Sequence, residues 1–206
     1  SVNYIVINHG GYAGTLRICA NAGANCLNGV QTGQSQVFNT AGLNFTDATE
    51  TVVVTSLTGW ISIESIVLFN SLQSLTPGFY QENNFNIVYT GSWTSGASVV
   101  YSGGTSQYTN TVGGTMSFTL SNATGFVLFL STYTSTAPLN VCITPQGGSA
   151  SCTNGIATAT AGTYYTNGRG FFGLDAGTNY TVTVTHAGTA AQWFQTDAIA
   201  VLGETS

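Results

Sequence analysis

Lysine is absent from the 206 residues, and the only fixed cations are Arg17 and Arg169. Charged side chains make up 4% of the chain, where an average soluble domain carries about 25%. Seven acids set the formal net charge at −5. Two arginines cannot neutralise a phosphate track, so nucleic acid is excluded as a partner. An anionic membrane surface is disfavoured on the same ground. Without lysine there is no phosphate-gripping P-loop, and no G-x-S-x-G nucleophile elbow occurs. Apolar runs such as Phe126–Leu130 are strand-length, far short of the roughly 18 residues of a membrane span, and no membrane insertion is expected. No run of helical length shows a period of 3.6. The first residues open directly into the strand-like Val2–Ile7, which leaves any secretion leader upstream of Ser1.

What fills the chain instead is Ser, Thr, Asn, Gln and Gly around a 43% hydrophobic content. Such a surface hydrates well but offers little charge repulsion between copies, which suits a glycosylated or an assembled protein. Thr51–Thr55 and Thr181–Thr185 are rich in β-branched residues, and Met116–Leu120 alternates apolar and polar with period two. Paired glycines recur at Gly10-Gly11, Gly103-Gly104, Gly113-Gly114 and Gly147-Gly148 and punctuate the chain as turns do. The expectation is an all-β, jelly-roll-type sandwich of about ten short strands.

Cys19 and Cys26 bracket one short turn-like segment, and Cys142 and Cys152 another. A disulfide across each hairpin is the simple reading and implies an oxidising, extracellular or cell-surface setting. A four-cysteine zinc site would want tighter spacings.

The chain also repeats itself. Leu16-Arg-Ile-Cys19 matches Leu139-Asn-Val-Cys142, and Cys26-Leu-Asn-Gly-Val30 matches Cys152-Thr-Asn-Gly-Ile156. Phe38-Asn-Thr40 matches Tyr164-Tyr-Thr166, and the two β-branched runs match each other. Trp60-x-x-x-Glu64-Ser-Ile66 closes the first copy as Trp193-x-x-x-Asp197-Ala-Ile199 closes the second. The spacing between copies grows only through turn-like segments, as loop insertions produce. Thr76–Asn122 has no counterpart in the first copy. The reading is a half sandwich repeat over residues 1–70, its second half only, followed by a complete repeat over residues 71–206. Half a sandwich leaves an apolar face and open edges, so an upstream segment or a neighbouring chain completes it, or else Thr76–Asn122 serves this half and leaves the second one bare.

Leu75-Thr-Pro-Gly-Phe-Tyr-Gln-Glu82, Ile87-Val-Tyr-Thr-Gly-Ser-Trp93, Tyr108-Thr109, Met116-Ser-Phe118 and the closing Trp193 to Val201 pattern resemble the tandem jelly-roll repeats of extracellular surface proteins from filamentous bacteria. These are similar to galactose-binding-like and carbohydrate-binding-module sandwiches. The resemblance implies a sandwich, an extracellular setting and a tandem arrangement. It is compatible with glycan binding and with a passive spacer alike. The first copy departs from the closing pattern by carrying Glu64 in place of the acid at Asp197.

Candidate chemistry is sparse. Of the acids Asp47, Glu50, Glu64, Glu82, Asp175, Asp197 and Glu204, Glu64 and Asp197 recur at one repeat position. They read as structural acceptors of backbone or hydroxyl hydrogen bonds rather than a glycosidase pair. No catalytic residue, metal site or cofactor is expected. His9 and His186 each precede a Gly-containing turn and read as solvent-facing. Trp60 and Trp193 recur and read as packing anchors. Trp93, next to Thr90-Gly-Ser92, is the freer candidate for a ligand or partner contact. Asn44, Asn122 and Asn179 head N-x-S/T sequons and are candidate glycosylation sites.

The functional expectation is a structural subunit of an extracellular assembly (a filament, sheath or surface layer) that polymerises with itself through sandwich faces and strand edges. The alternative is a carbohydrate-binding or adhesive module of a larger surface protein, with glycans as partners.

Overall fold

In Thr115–Leu120, the side chains of Met116, Phe118 and Leu120 are buried while Thr115, Ser117 and Thr119 stay half-buried, the imprint of a strand lying on a core. The same alternation, with Val182 and Val184 buried between threonines, marks Tyr180–His186. The computed structural model describes residues 4–10, 13–20, 25–32, 36–39, 52–59, 62–69, 73–158 and 165–203. They fall into two units, Ser1–Leu72 and Gln73–Ser206.

The first unit contains β1 (Tyr4–Gly10), β2 (Ala13–Ala20), β3 (Asn25–Thr32), β4 (Gln36–Asn39), β5 (Val52–Gly59) and β6 (Ser62–Phe69). They form two antiparallel three-stranded sheets, ordered β4-β1-β6 and β3-β2-β5.

The second unit contains β7 (Gly78–Gln81), β8 (Val88–Thr90), β9 (Thr94–Ala97), β10 (Thr105–Thr109), β11 (Thr115–Leu120), β12 (Gly125–Thr132), β13 (Leu139–Pro145), β14 (Ser151–Ile156), β15 (Tyr165–Phe172), β16 (Tyr180–His186) and β17 (Phe194–Leu202). One sheet has the order β15-β12-β17-β10-β9, with β7 also paired to β17, and the other the order β14-β13-β16-β11-β8. The pairings between these strands are antiparallel. This is an all-β sandwich of jelly-roll type. Apart from a 3₁₀ turn at Ser102–Gly104, no helix occurs among the described residues.

Seventeen strands among the described residues exceed the ten or so expected. The excess comes from short pieces such as β8 (VYT) and β9 (TSGA), too brief to show an alternating pattern.

The core of the second unit is filled from both sheets. Phe126, Leu128, Leu130, Phe194, Ile199 and Val201 come from β12 and β17, and Met116, Phe118, Leu120, Leu139, Val141, Val182 and Val184 from β11, β13 and β16. Phe118 meets Phe126 edge-on across the sandwich at 5.7 Å, and Phe126 stacks on Phe171 at 4.8 Å. Each fully buried side chain of this size stabilises the fold by about 1.5–3 kcal/mol.

The β12–β17 ladder slips between Phe129, opposite Ala198, and Leu130, opposite Thr196, which leaves Asp197 as the extra residue of a bulge. A bulge re-aims the side chains that follow it. Here it lets Phe194 enter the core while Gln195 faces a cleft.

Both disulfides form as expected, Cys19–Cys26 and Cys142–Cys152. Each joins two directly paired residues, on the β2–β3 and β13–β14 hairpins respectively.

Candidate binding cleft

Where β9, β10 and the start of β17 meet the loop after β12 there is a cleft of about 450 Å³. Trp193, Tyr108, Tyr101, Tyr133, Ser135, Gln195, Gly96 and Ala97 line it. None of these side chains is charged. Trp193 is 39% exposed and meets Tyr108 edge-on, with ring centroids 5.3 Å apart and planes at 72°.

Backbone bonding fixes Trp193 from both sides. Its N–H donates to the Ser135 carbonyl, and its own carbonyl accepts from the Ala137 N–H, each at 2.8 Å. Gln195 lies opposite Tyr108 in the β10–β17 ladder. Its Nε2 donates to the Tyr101 hydroxyl at 2.8 Å and to Ser106 Oγ at 2.7 Å, tying the 3₁₀ region to the sheet. Gly96 leaves room for the Tyr108 ring, because a Cβ there would stand 3.2 Å from it. The cleft is thus a preformed aromatic wall with a few oriented polar groups, the usual composition of a small-molecule site.

Trp93 corrects the expectation placed on it. It is 4% exposed, its indole N–H donates to the Thr90 carbonyl at 2.9 Å, and its ring packs on Tyr89 and Phe194. The turn at Gly91-Ser92 folds the indole back over its own strand, so the ring belongs to the core and is closed to a ligand. Trp193 shows the opposite departure. Its recurrence in the repeat points to a packing anchor, yet it stands one residue before β17 and opens into the cleft. Sequence reasoning also missed Tyr101, Tyr108 and Tyr133. Their common signal is position, since each lies in or beside a short strand or turn at one end of the sheet.

His186 is buried rather than solvent-facing. Its Nδ1 accepts from the Gly188 N–H at 3.2 Å, and its Nε2 lies 3.0 Å from the Gln192 carbonyl. Both contacts pin the turn that follows the ring.

Asp197 and Glu82 form a second cluster. Both are buried, and the Glu82 N–H donates to the Asp197 carbonyl at 3.0 Å. Asp197 Oδ2 accepts from the Ser102 N–H at 3.1 Å, and Glu82 Oε1 accepts from Thr105 Oγ1 at 2.6 Å. Glu82 Oε2, Asp197 Oδ1 and Gln81 Oε1 are buried without a partner. Burial pushes both carboxyls above the usual carboxylate range. The Asp197 charge adds to the rise at Glu82, where the Thr105 hydrogen bond acts against it, and the Ser102 N–H acts against the rise at Asp197.

Asp175 is held low by the Gly177 N–H and the Thr178 hydroxyl. Among the described residues no group of three or more His, Cys, Asp or Glu comes together, and no helix is long and apolar enough to cross a membrane.

Asn122 and Asn179 are exposed. Asn122 adopts φ 53°, and Asn179 Nδ2 donates to Gln146 Oε1 at 3.1 Å. Asn44, Asp47, Glu50, Trp60 and Glu204 lie outside the described residues, while Glu64 lies in β6 and His9 in β1.

No protein-family model matches the chain, and no curated protein does either. Solved structures similar to it include a family 35 carbohydrate binding module from Clostridium thermocellum, at 17% identity and TM-score 0.41, covering 61% of this chain and 98% of that one. The CBM35 from Cellvibrio japonicus Abf62 is similar at 17% identity and TM-score 0.41, covering 62% and 93%. An exo-beta-1,3-galactanase from Phanerochaete chrysosporium is similar at 16% identity and TM-score 0.39, and the match spans 74% of this chain but 37% of that enzyme. At such identities the likeness concerns the β-sandwich alone.

Proposed function

We propose that the second unit is a carbohydrate-binding module that holds a neutral glycan in the Trp193–Tyr108 cleft. The observation that carries this reading is an exposed tryptophan held beside three tyrosines over a charge-free floor. Pyranose rings present apolar C–H faces ringed by hydroxyls. An aromatic wall stacks against the first, and Tyr, Ser and Gln groups pair with the second. The lack of any cation in the cleft favours neutral sugars over uronates or sulfated chains.

Hydrolysis is not part of the reading. Glu82 and Asp197 are buried at 0% and 2% exposure and are bonded to backbone and hydroxyl groups, out of reach of a glycosidic bond. The two disulfides fit an extracellular or cell-surface setting.

Affinity electrophoresis through gels containing neutral glucans, galactans or xylans tests the reading. Retardation lost on Trp193→Ala supports it, and free migration through every gel overturns it.

A second reading, a self-associating subunit of a filament, sheath or surface layer, draws on the near absence of charge and on two sheets of the first unit whose outer strands pair on one side only among the described residues. Electron microscopy of the protein at neutral pH tests it. Regular fibres or sheets support it, and dispersed single chains overturn it.

A further inference from the structure

The two units share strand orders and differ on one side only. β4-β1-β6 corresponds to β15-β12-β17, and β3-β2-β5 corresponds to β14-β13-β16. In the second unit both sheets continue: β17 is joined by β10 and β7, and β16 by β11. In the first unit the strands at those positions, β6 and β5, pair with β1 and β2. Among the described residues no further strand pairs with either of them.

The strand β5 has the features that sheet edges normally avoid. Its sequence VVVTSLTG contains no charge and no proline, and Val53 and Leu57 are 44% and 43% exposed. Val54 occupies the place that Val184 holds in the matching run Thr181–Thr185. Val184 is fully buried, in register with Met116 of β11, whereas Val54 is only half-buried. Among the described residues, then, no strand adds to β5 and β6 in the way that residues 73–122 add strands to β16 and β17.

We propose that β5 and β6 are a docking edge for the front half of the same sandwich repeat, carried by a molecule other than a second copy of this chain, with a β11-like strand on β5 and a β10-like strand on β6. The chain itself displays the chemistry of the occupant. β10 and β11 are consecutive, so one short segment adds a strand to each sheet. Met116, Phe118 and Leu120 face the core while threonines and serine alternate outward. A bare β5 edge from a second copy would satisfy hydrogen bonds but would bring valines, not the larger Met and Phe side chains, to the gap beside Val54. Backbone pairing supplies the affinity of such strand addition, and the alternate side chains supply its specificity. The proposal is independent of the glycan reading, since it concerns the other unit.

The test adds a synthetic peptide of residues 103–122 to the full chain and follows amide exchange by mass spectrometry. Exchange over residues 52–69 is expected to slow at least ~10-fold on peptide addition, with residues 180–202 unchanged. The same peptide carrying Phe118→Asp is expected to give no protection.

Four results overturn the proposal. They are no protection of residues 52–69, protection confined to residues 180–202, and residues 52–69 exchanging as slowly as residues 180–202 before any peptide is added. The fourth is concentration-dependent self-association that protects residues 52–69 without peptide, which makes a second copy the occupant.

Discussion

Tyr108 and Trp193 meet edge to face, 5.3 Å between centroids, with the tryptophan carried by the segment leading into β17 and the tyrosine by β10. Removing either ring breaks the wall without opening the core. Trp193→Ala and Tyr108→Ala are each expected to weaken glycan retention at least ~10-fold, or about 1.4 kcal/mol. The urea midpoint should stay close to that of the unchanged protein. A midpoint falling as far as retention would mean that the rings serve packing instead.

Trp93 predicts the converse. It is buried against Tyr89 and Phe194, so Trp93→Ala leaves a cavity and is expected to cost about 3–5 kcal/mol in denaturant unfolding. Whatever fraction remains folded should still bind glycan. Loss of retention with unchanged stability would contradict the placement of this ring.

The buried acids give a pH signature. Glu82 and Asp197 titrate above the usual range in the folded state, so folding favours their protonated forms. Their contribution to stability is fully present below the unfolded-state carboxylate range and is lost as pH rises through the folded values. Asp175, held low, acts in the opposite sense and loses its contribution in acid. In metal-free buffer the melting temperature should therefore decline as pH rises above the ordinary carboxylate range of about 4. Glu82→Gln should raise the melting temperature at pH 8 and flatten the decline. A variant that melts lower than the parent at pH 8 would show that the Glu82 charge stabilises the fold.

The Cys142–Cys152 bond closes a hairpin with a sequence separation of 10. Replacing both residues with alanine is expected to lower stability by about 2–3 kcal/mol, the loop-closure value for so short a loop. Glycan retention should be intact, because the hairpin is not part of the cleft lining. Loss of retention in this variant at temperatures where it is folded would overturn that separation.

Much of the fold is legible in the residues. The period-two runs Met116–Leu120 and Thr181–Thr185 become strands with the expected faces inward, and each cysteine pair becomes a cross-strand disulfide. The binding cleft is far less legible, because it depends on which of two tryptophans is turned inward. Trp93 and Trp193 both sit beside turns, and composition treats them alike. What separates them is three-dimensional: a carbonyl three residues back satisfies the Trp93 indole, and a bulge at Asp197 redirects the chain beside Trp193. The burial of His186 is hidden from the sequence for a related reason, since the turn that follows it closes over the ring. Short strands such as β8 and β9 leave no periodic trace at all.

The pairing of β7 with β17 has a mechanical consequence. Gly78 lies opposite Val201, and a Cβ at Gly203 would collide with the Pro77 ring, so the polypeptide comes into this sandwich and leaves it side by side. A pull applied across those two points would load one rung of the β7–β17 ladder at a time and peel the strand away in sequence. Strands dragged lengthwise past each other would share the force among all their rungs. The sandwich should accordingly open under modest tension from its β7 side, and the force at which it yields should depend little on how well the distant β13–β14 hairpin is stapled.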